Sequence, residues 1–177
     1  MASIRRCSCV FLLAIALPPF PGSLAAANKA WKMVQPENGG FTCEMPGEAK
    51  KATQNVFTAA GPINVVTYSL EVPKGTYMVN ATAIPRNAPA ATTVQRLDGA
   101  RDGAVKNVKG KLLSEKQIKL DRYPGRELLI EPRQGVYIHQ RIFMVEDRLI
   151  QAVAVSPSKE ATEDIARFFN SVKLSKK

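Results

Sequence analysis

Between Gly110 and Ser156 the chain reads as four successive β-strands with connections only a few residues long. Leu112 to Leu120 leads into Arg122-Tyr123-Pro124-Gly125, and Arg126 to Pro132 follows. Val136 to Val145 then reaches the charged turn Glu146-Asp147-Arg148, and Leu149 to Val155 returns. Connections this short join antiparallel neighbours, because a parallel pair needs a crossover of a dozen residues or more. Pro124-Gly125 has the chemistry of a turn: proline presets φ at the second position and glycine accepts positive φ at the third. No other stretch constrains the fold as tightly.

The first 27 residues read as an export signal. Arg5 and Arg6 form a basic start, Val10 to Leu17 an apolar core, and Ser23-Leu24-Ala25-Ala26-Ala27 a small-residue cleavage site after Ala27. The apolar run is shorter than the roughly 20 residues a membrane-spanning helix needs. Pro18, Pro19 and Pro21 stop it from extending. Cys7 and Cys9 lie before or within the apolar core, not after the cleavage site where a lipid-bearing cysteine would stand. No later run is long enough to be transmembrane. The expectation is an exported chain, periplasmic or secreted, with residues 28–177 forming one domain.

Cleavage there leaves Cys43 as the sole cysteine, so stability has to come from packing without a disulfide. The formal charge falls only from +10 to +8, since Arg5 and Arg6 leave and no acidic residue does. Trp31 to Val34 is a short apolar lead-in to the turn cluster Pro36-Glu37-Asn38-Gly39-Gly40. Phe41, Cys43 and Met45 alternate with Thr42 and Glu44, which predicts a strand with one buried face and Cys43 as a core thiol. Lys50 to Thr58 reads as an edge strand, Ile63 to Val72 and Thr76 to Ile84 as strands behind it. Asn80-Ala81-Thr82 matches a glycosylation sequon, relevant only in a eukaryotic secretory route.

Two helices are expected. Val94, Leu97, Arg101, Ala104, Val105 and Val108 recur at helical spacing, with Gly99 and Gly103 either permitting close approach to a sheet or marking a break. These glycines do not make a phosphate loop, since they lie within the helical pattern and no Gly-Lys-Ser/Thr follows. Ser158 is the expected N-cap of a closing helix whose apolar face is Ile165, Phe168, Phe169 and Val172.

Two runs of strands, each followed by one helix, make an α+β order around a mainly antiparallel sheet. Val136, Ile138, Ile142 and Met144 occupy one face of their strand, while Tyr137, Phe143 and Val145 occupy the other, so this strand is expected to lie between two layers. The Gly-Gly-Phe strand ending in Met45-Pro46-Gly47, the middle helix, Tyr123-Pro124-Gly125-Arg126-Glu127 and the closing Arg167-Phe168-Phe169-Asn170-Ser171-Val172 together resemble small exported bacterial proteins of the PsbP/Mog-like superfamily. The resemblance spans roughly Trp31 to Leu174. It implies an α/β/α sandwich around an antiparallel sheet. It also implies binding or assembly rather than catalysis, since the superfamily shares no catalytic residues and includes an extrinsic subunit of photosystem II. Nothing in this chain singles out a photosynthetic role.

The chemistry-bearing residues fit that expectation. His139 is the only histidine and sits mid-strand beside Tyr137 and Arg141 on one face, so neither a catalytic triad nor a multi-histidine metal site is expected, but a structural or surface role. Glu127 and Glu131 share a strand face, yet Arg122, Arg126 and Arg133 surround them, which favours ion pairs over a carboxylate acid–base pair. No catalytic, cofactor or metal set is expected. Lys106, Lys109, Lys111, Lys116, Lys119, Arg122, Arg126 and Arg133 crowd one region, and Lys173, Lys176 and Lys177 end the chain. Such a field favours an anionic or protein partner in the envelope, or serves solubility alone. Nucleic acid is not expected, because no aromatic platform is interleaved with the lysines. The expected partner-binding residues are Lys116, Lys119, Arg122, Tyr123, Arg126 and Arg133. A carboxylate-based enzyme near Tyr123 and a small-molecule carrier with a closed apolar pocket are the alternatives. In a chain starting at Asn28, reducing agent is expected to leave the thermal midpoint unchanged; a clear drop would reveal a disulfide between copies.

Overall fold

The computed structural model describes residues 30–37, 39–58, 61–86 and 88–175, so the export-signal reading of residues 1–27 lies outside them. The chain forms β1 (Lys32–Val34), β2 (Phe41–Met45), β3 (Lys50–Thr58), β4 (Gly61–Val72) and β5 (Gly75–Ala83), then α1 (Thr93–Asn107). It continues with β6 (Lys111–Leu120), β7 (Tyr123–Arg133), β8 (Val136–Val145) and β9 (Arg148–Ser156). It closes with α2 (Glu163–Asn170) and β10 (Lys173–Leu174).

Seven strands make one antiparallel sheet in the order β3-β4-β5-β9-β8-β7-β6. The first meander ends at β5, α1 carries the chain over one face to the far edge, and the second meander returns until β9 pairs with β5. Alternating side chains then define two cores. Ile138, Ile142, Met144, Leu149 and Val153 pack beneath Leu97 and Ala100 of α1. Phe143, Ile150, Ala152 and Ala154 pack against Ile165, Phe168 and Phe169 of α2. The architecture is α+β, a sheet covered by helix on both sides.

Each helix is held by a local device. α1 begins at a capping box: Thr92 Oγ1 accepts from the Gln95 amide, and Gln95 Oε1 accepts from the Thr92 amide. The helix runs unbroken through Gly99 and Gly103, and Leu97, Ala100 and Gly103 are its buried residues. Of the two expectations for the glycines, the break is not realised, and Gly103 lies on the buried face. The cap of α2 is Thr162, whose hydroxyl accepts from the Ile165 amide; the expected cap Ser158 instead donates its hydroxyl to the Glu160 carbonyl. Thr162 wins because the amide it can reach belongs to the first turn of the apolar face.

The layer around α2 holds more than a helix. β1, β2 and β10 form a separate antiparallel sheet in the order β1-β2-β10, placing Val34, Phe41, Cys43 and Met45 in the same core as Phe168. The Ser171 hydroxyl accepts from the Glu44 amide at 2.8 Å, tying the end of α2 to β2.

The expected Pro124-Gly125 turn is not where the chain reverses. Leu120 pairs with Tyr123, so the loop is Asp121-Arg122, with Asp121 at φ 52°, and Pro124 and Gly125 lie within β7. A two-residue loop between twisted strands needs positive φ, which aspartate tolerates better than most residues. Gly125 serves packing instead. A Cβ there would collide with the Ile142 carbonyl oxygen and the Phe143 ring. Replacing Gly125 by Ala is therefore expected to cost about 1–3 kcal/mol through overpacking. Chemical denaturation checks this, and an unchanged midpoint would show that the β7–β8 contact has slack.

Candidate functional site

The basic residues gather along the hairpin of β6 and β7, because α1 delivers the chain to the outer edge of the sheet and β6 is the strand left there. Its register fixes which way each side chain points. Lys116 lies opposite Glu127 and Lys119 opposite Pro124, an odd separation that puts the two exposed lysines on opposite faces of the edge. At the hairpin end, Arg122 Nη2 donates to the Tyr123 hydroxyl at 2.9 Å and the guanidinium lies 5.1 Å from the ring centroid. The Tyr123 hydroxyl donates to Glu146 Oε1 at 3.2 Å. Lys119, Arg122 and Tyr123 thus share one end, while exposed Arg133 stands at the opposite end of β7.

Arg126 has a different place. It is 8% exposed, on the α1 side of the sheet, with Nε 2.8 Å from Glu115 Oε1 and Nη2 3.4 Å from Asp98 Oδ1. Arg101 completes the group, 3.1 Å from Glu115 and 3.3 Å from Asp98. These four residues clamp α1 to β6 and β7. Asp98 and Arg101 sit at the i, i+3 spacing of a helical ion pair, which the sequence displays; Glu115 and Arg126 join them only through the fold.

Other chemistry-bearing side chains are engaged in structure. His139 is buried, with Nε2 3.0 Å from the Ser158 carbonyl oxygen. Glu127 accepts from Arg141 Nε at 2.6 Å; Arg141 also donates to Asn170 and lies 5.0 Å from the Phe169 ring centroid. Cys43 is 1% exposed, and burial, with Glu44 beside it, pushes its thiol up to about 12. A thiol so protonated is no nucleophile at neutral pH. Asn80 is 1% exposed and accepts from Gln151, so the folded domain does not present the sequon at its surface. No group of three or more metal-ligating side chains forms among the described residues.

An open groove of about 310 Å³ runs between β2 and the end of α2, lined by Met33, Thr42, Glu44, Arg167, Asn170 and Lys173. Its arginine is occupied: Arg167 pairs with Glu44 at 2.9 Å and stacks 4.2 Å from the Trp31 centroid. This is not the closed apolar pocket that the carrier alternative calls for.

With this geometry in view, comparison with solved structures is informative. The solution structure of cyanobacterial PsbP (CyanoP) from Synechocystis sp. PCC 6803 aligns with a TM-score of 0.54 and 11% identity, covering 87% of this chain and 98% of that one. The chain has a PsbP-like fold. A Pseudomonas aeruginosa protein of unknown function aligns with a TM-score of 0.35 and 9% identity over 71% of this chain and 82% of that one. No family model matches the sequence, and no curated protein does. No helix among the described residues is long and apolar enough to cross a membrane.

The cations of the hairpin are separable by stability. Arg126→Met strips two carboxylates of a partner and is expected to cost about 1.5–3 kcal/mol, the range for hydrogen bonds to charged groups. Lys116→Ala and Lys119→Ala, on the open edge, are expected to stay within about 0.5 kcal/mol of the parent. Urea melts of the three variants check this; equal costs for all three would remove the distinction between clamp and surface.

Proposed function

We propose that this chain is a non-enzymatic, exported domain that binds or helps assemble another component of the cell envelope or its surroundings, through an anionic or protein partner. One observation carries the reading. Lys106, Lys109, Lys111, Lys116 and Lys119 are exposed and have no carboxylate partner among the described residues, while Arg101, Arg126, Arg141 and Arg167 are each held in an ion pair. Asp98, Glu115, Glu127 and Glu44 are spent on these arginines, and the lysine field along α1's end and β6 stays open to an external anion.

The residues on which an enzyme would rely support the same reading. Glu127 is committed to Arg141, His139 to a backbone carbonyl, and Cys43 to the core. The PsbP-like fold agrees with a binding role, although a fold alone carries no activity. Expressed with its own leader, the protein is expected outside the cytoplasm with Asn28 as its first residue. Immobilised, it should then enrich a component of envelope extract at low ionic strength. It should release that component toward 1 M salt, where the screening length falls to about 3 Å. No enrichment at any ionic strength would sink the proposal.

A further inference from the structure

We propose that β6 is a docking edge for an acidic, extended segment of a partner protein, which joins the seven-stranded sheet as an added strand. This rests on the reading of the chain as a binding domain and assigns that reading a site. β6 is ten residues long and ends the sheet, so alternate N–H and C=O groups along it face away from β7 with no neighbouring strand among the described residues. Strand addition uses such an edge: main-chain bonds supply affinity and alternating side chains supply selectivity.

The charges on this edge choose the occupant. Lys111, Lys116 and Lys119 lie on β6, with Lys109 before it and Arg122 after it. The one carboxylate within the strand, Glu115, is turned to Arg126 and Arg101. Since Lys116 and Lys119 stand on opposite faces, an added strand meets a cation on either side at cross-strand distance, where opposite charges attract and like charges repel. A second copy of β6 brings lysines into the same strip and is disfavoured. An acidic segment gains on both faces. Ile118 and Leu120, half-buried at the rim of the α2-side core, offer apolar cover to alternate residues of the incoming strand.

The opposite edge lacks these features. β3 carries Lys50 and Lys51 at one end, with Lys51 already 2.7 Å from Glu37, and Ala52, Thr53, Gln54 and Asn55 bear no charge. The clamp of Asp98, Arg101, Glu115 and Arg126 holds β6 against α1, so the edge is ordered before any partner arrives.

The test uses the whole exported chain and a blocked ten-residue peptide of the repeat Glu-Glu-Val-Val, which puts glutamate and valine on both faces of a strand. Titration should show binding that weakens with salt, and hydrogen exchange of the β6 amides should slow at least tenfold in the complex. Two controls should each lose at least tenfold in affinity: the Lys116→Glu/Lys119→Glu variant, checked for a parental melting curve, and the same peptide N-methylated at alternate residues in both registers. Methylation keeps the charge and removes the strand's donors. Equal binding by the methylated peptides would overturn strand addition and leave diffuse attraction. Failure of the peptide, while envelope extract still yields a salt-sensitive partner, would overturn the edge assignment and spare the proposed function. Sedimentation of the chain as a dimer that the double variant abolishes would make the occupant a second copy and overturn the acidic partner.

Discussion

β9 is buried at every position after Arg148, and β8 presents Ile138, Ile142 and Met144 to one side and Phe143 to the other. Strands of this kind cannot rest one face in water, because each fully buried aliphatic or aromatic side chain is worth roughly 1.5–3 kcal/mol relative to exposure. Two covering layers are therefore obligatory. α1 supplies one; α2 supplies the other together with the small sheet of β1, β2 and β10. Phe168, fully buried, stands edge-on to Tyr77 with centroids 5.2 Å apart, which locks α2 over β5. The helices are where they are because the central strands leave no face for solvent.

Into this apolar interior the chain places a polar row. Asn80 on β5, Gln151 on β9 and Gln140 on β8 bond side chain to side chain, Gln140 donating to Gln151 at 3.0 Å and Gln151 to Asn80 at 3.3 Å. A register slip of one residue on any of these strands would separate the amides and bury them unpaired, at a cost of about 1–3 kcal/mol per group. The row thus acts as a register mark across the middle of the sheet. Farther out, the cluster of Arg126, Glu115, Asp98 and Arg101 does the same between helix and edge.

The topology also explains why the lysines matter. Once α1 has crossed to the far side, the next strand must be an edge, and the second meander can only fill inward from it. Lysines on such a strand deter pairing with identical edges. In the proposed docking the same side chains would make the edge complementary to an acidic segment, so one charge pattern would serve both protection against self-association and selection of a partner.

Much of the fold was legible because its signals are local. Period-two alternation in Val136–Val145 and helical spacing of Ile165, Phe168 and Phe169 are read within a few residues, and they determined the antiparallel strands, the two helices and the two-sided core. The PsbP-like architecture was likewise legible in the order of elements. What the sequence left open depended on partners far along the chain. Arg126 looked like one more surface cation until α1 brought Asp98, 28 positions away, and the sheet brought Glu115. Pro124-Gly125 looked like a turn until the Asp121-Arg122 loop and the Phe143 ring showed that glycine was needed for approach. β10 exists only because β2, more than a hundred residues earlier, offers it a ladder. Periodicity and composition determined which faces are apolar and how many layers are needed. Only tertiary structure decided which charges face inward and which strand stays an edge, because those outcomes depend on distances between residues that the chain itself keeps far apart.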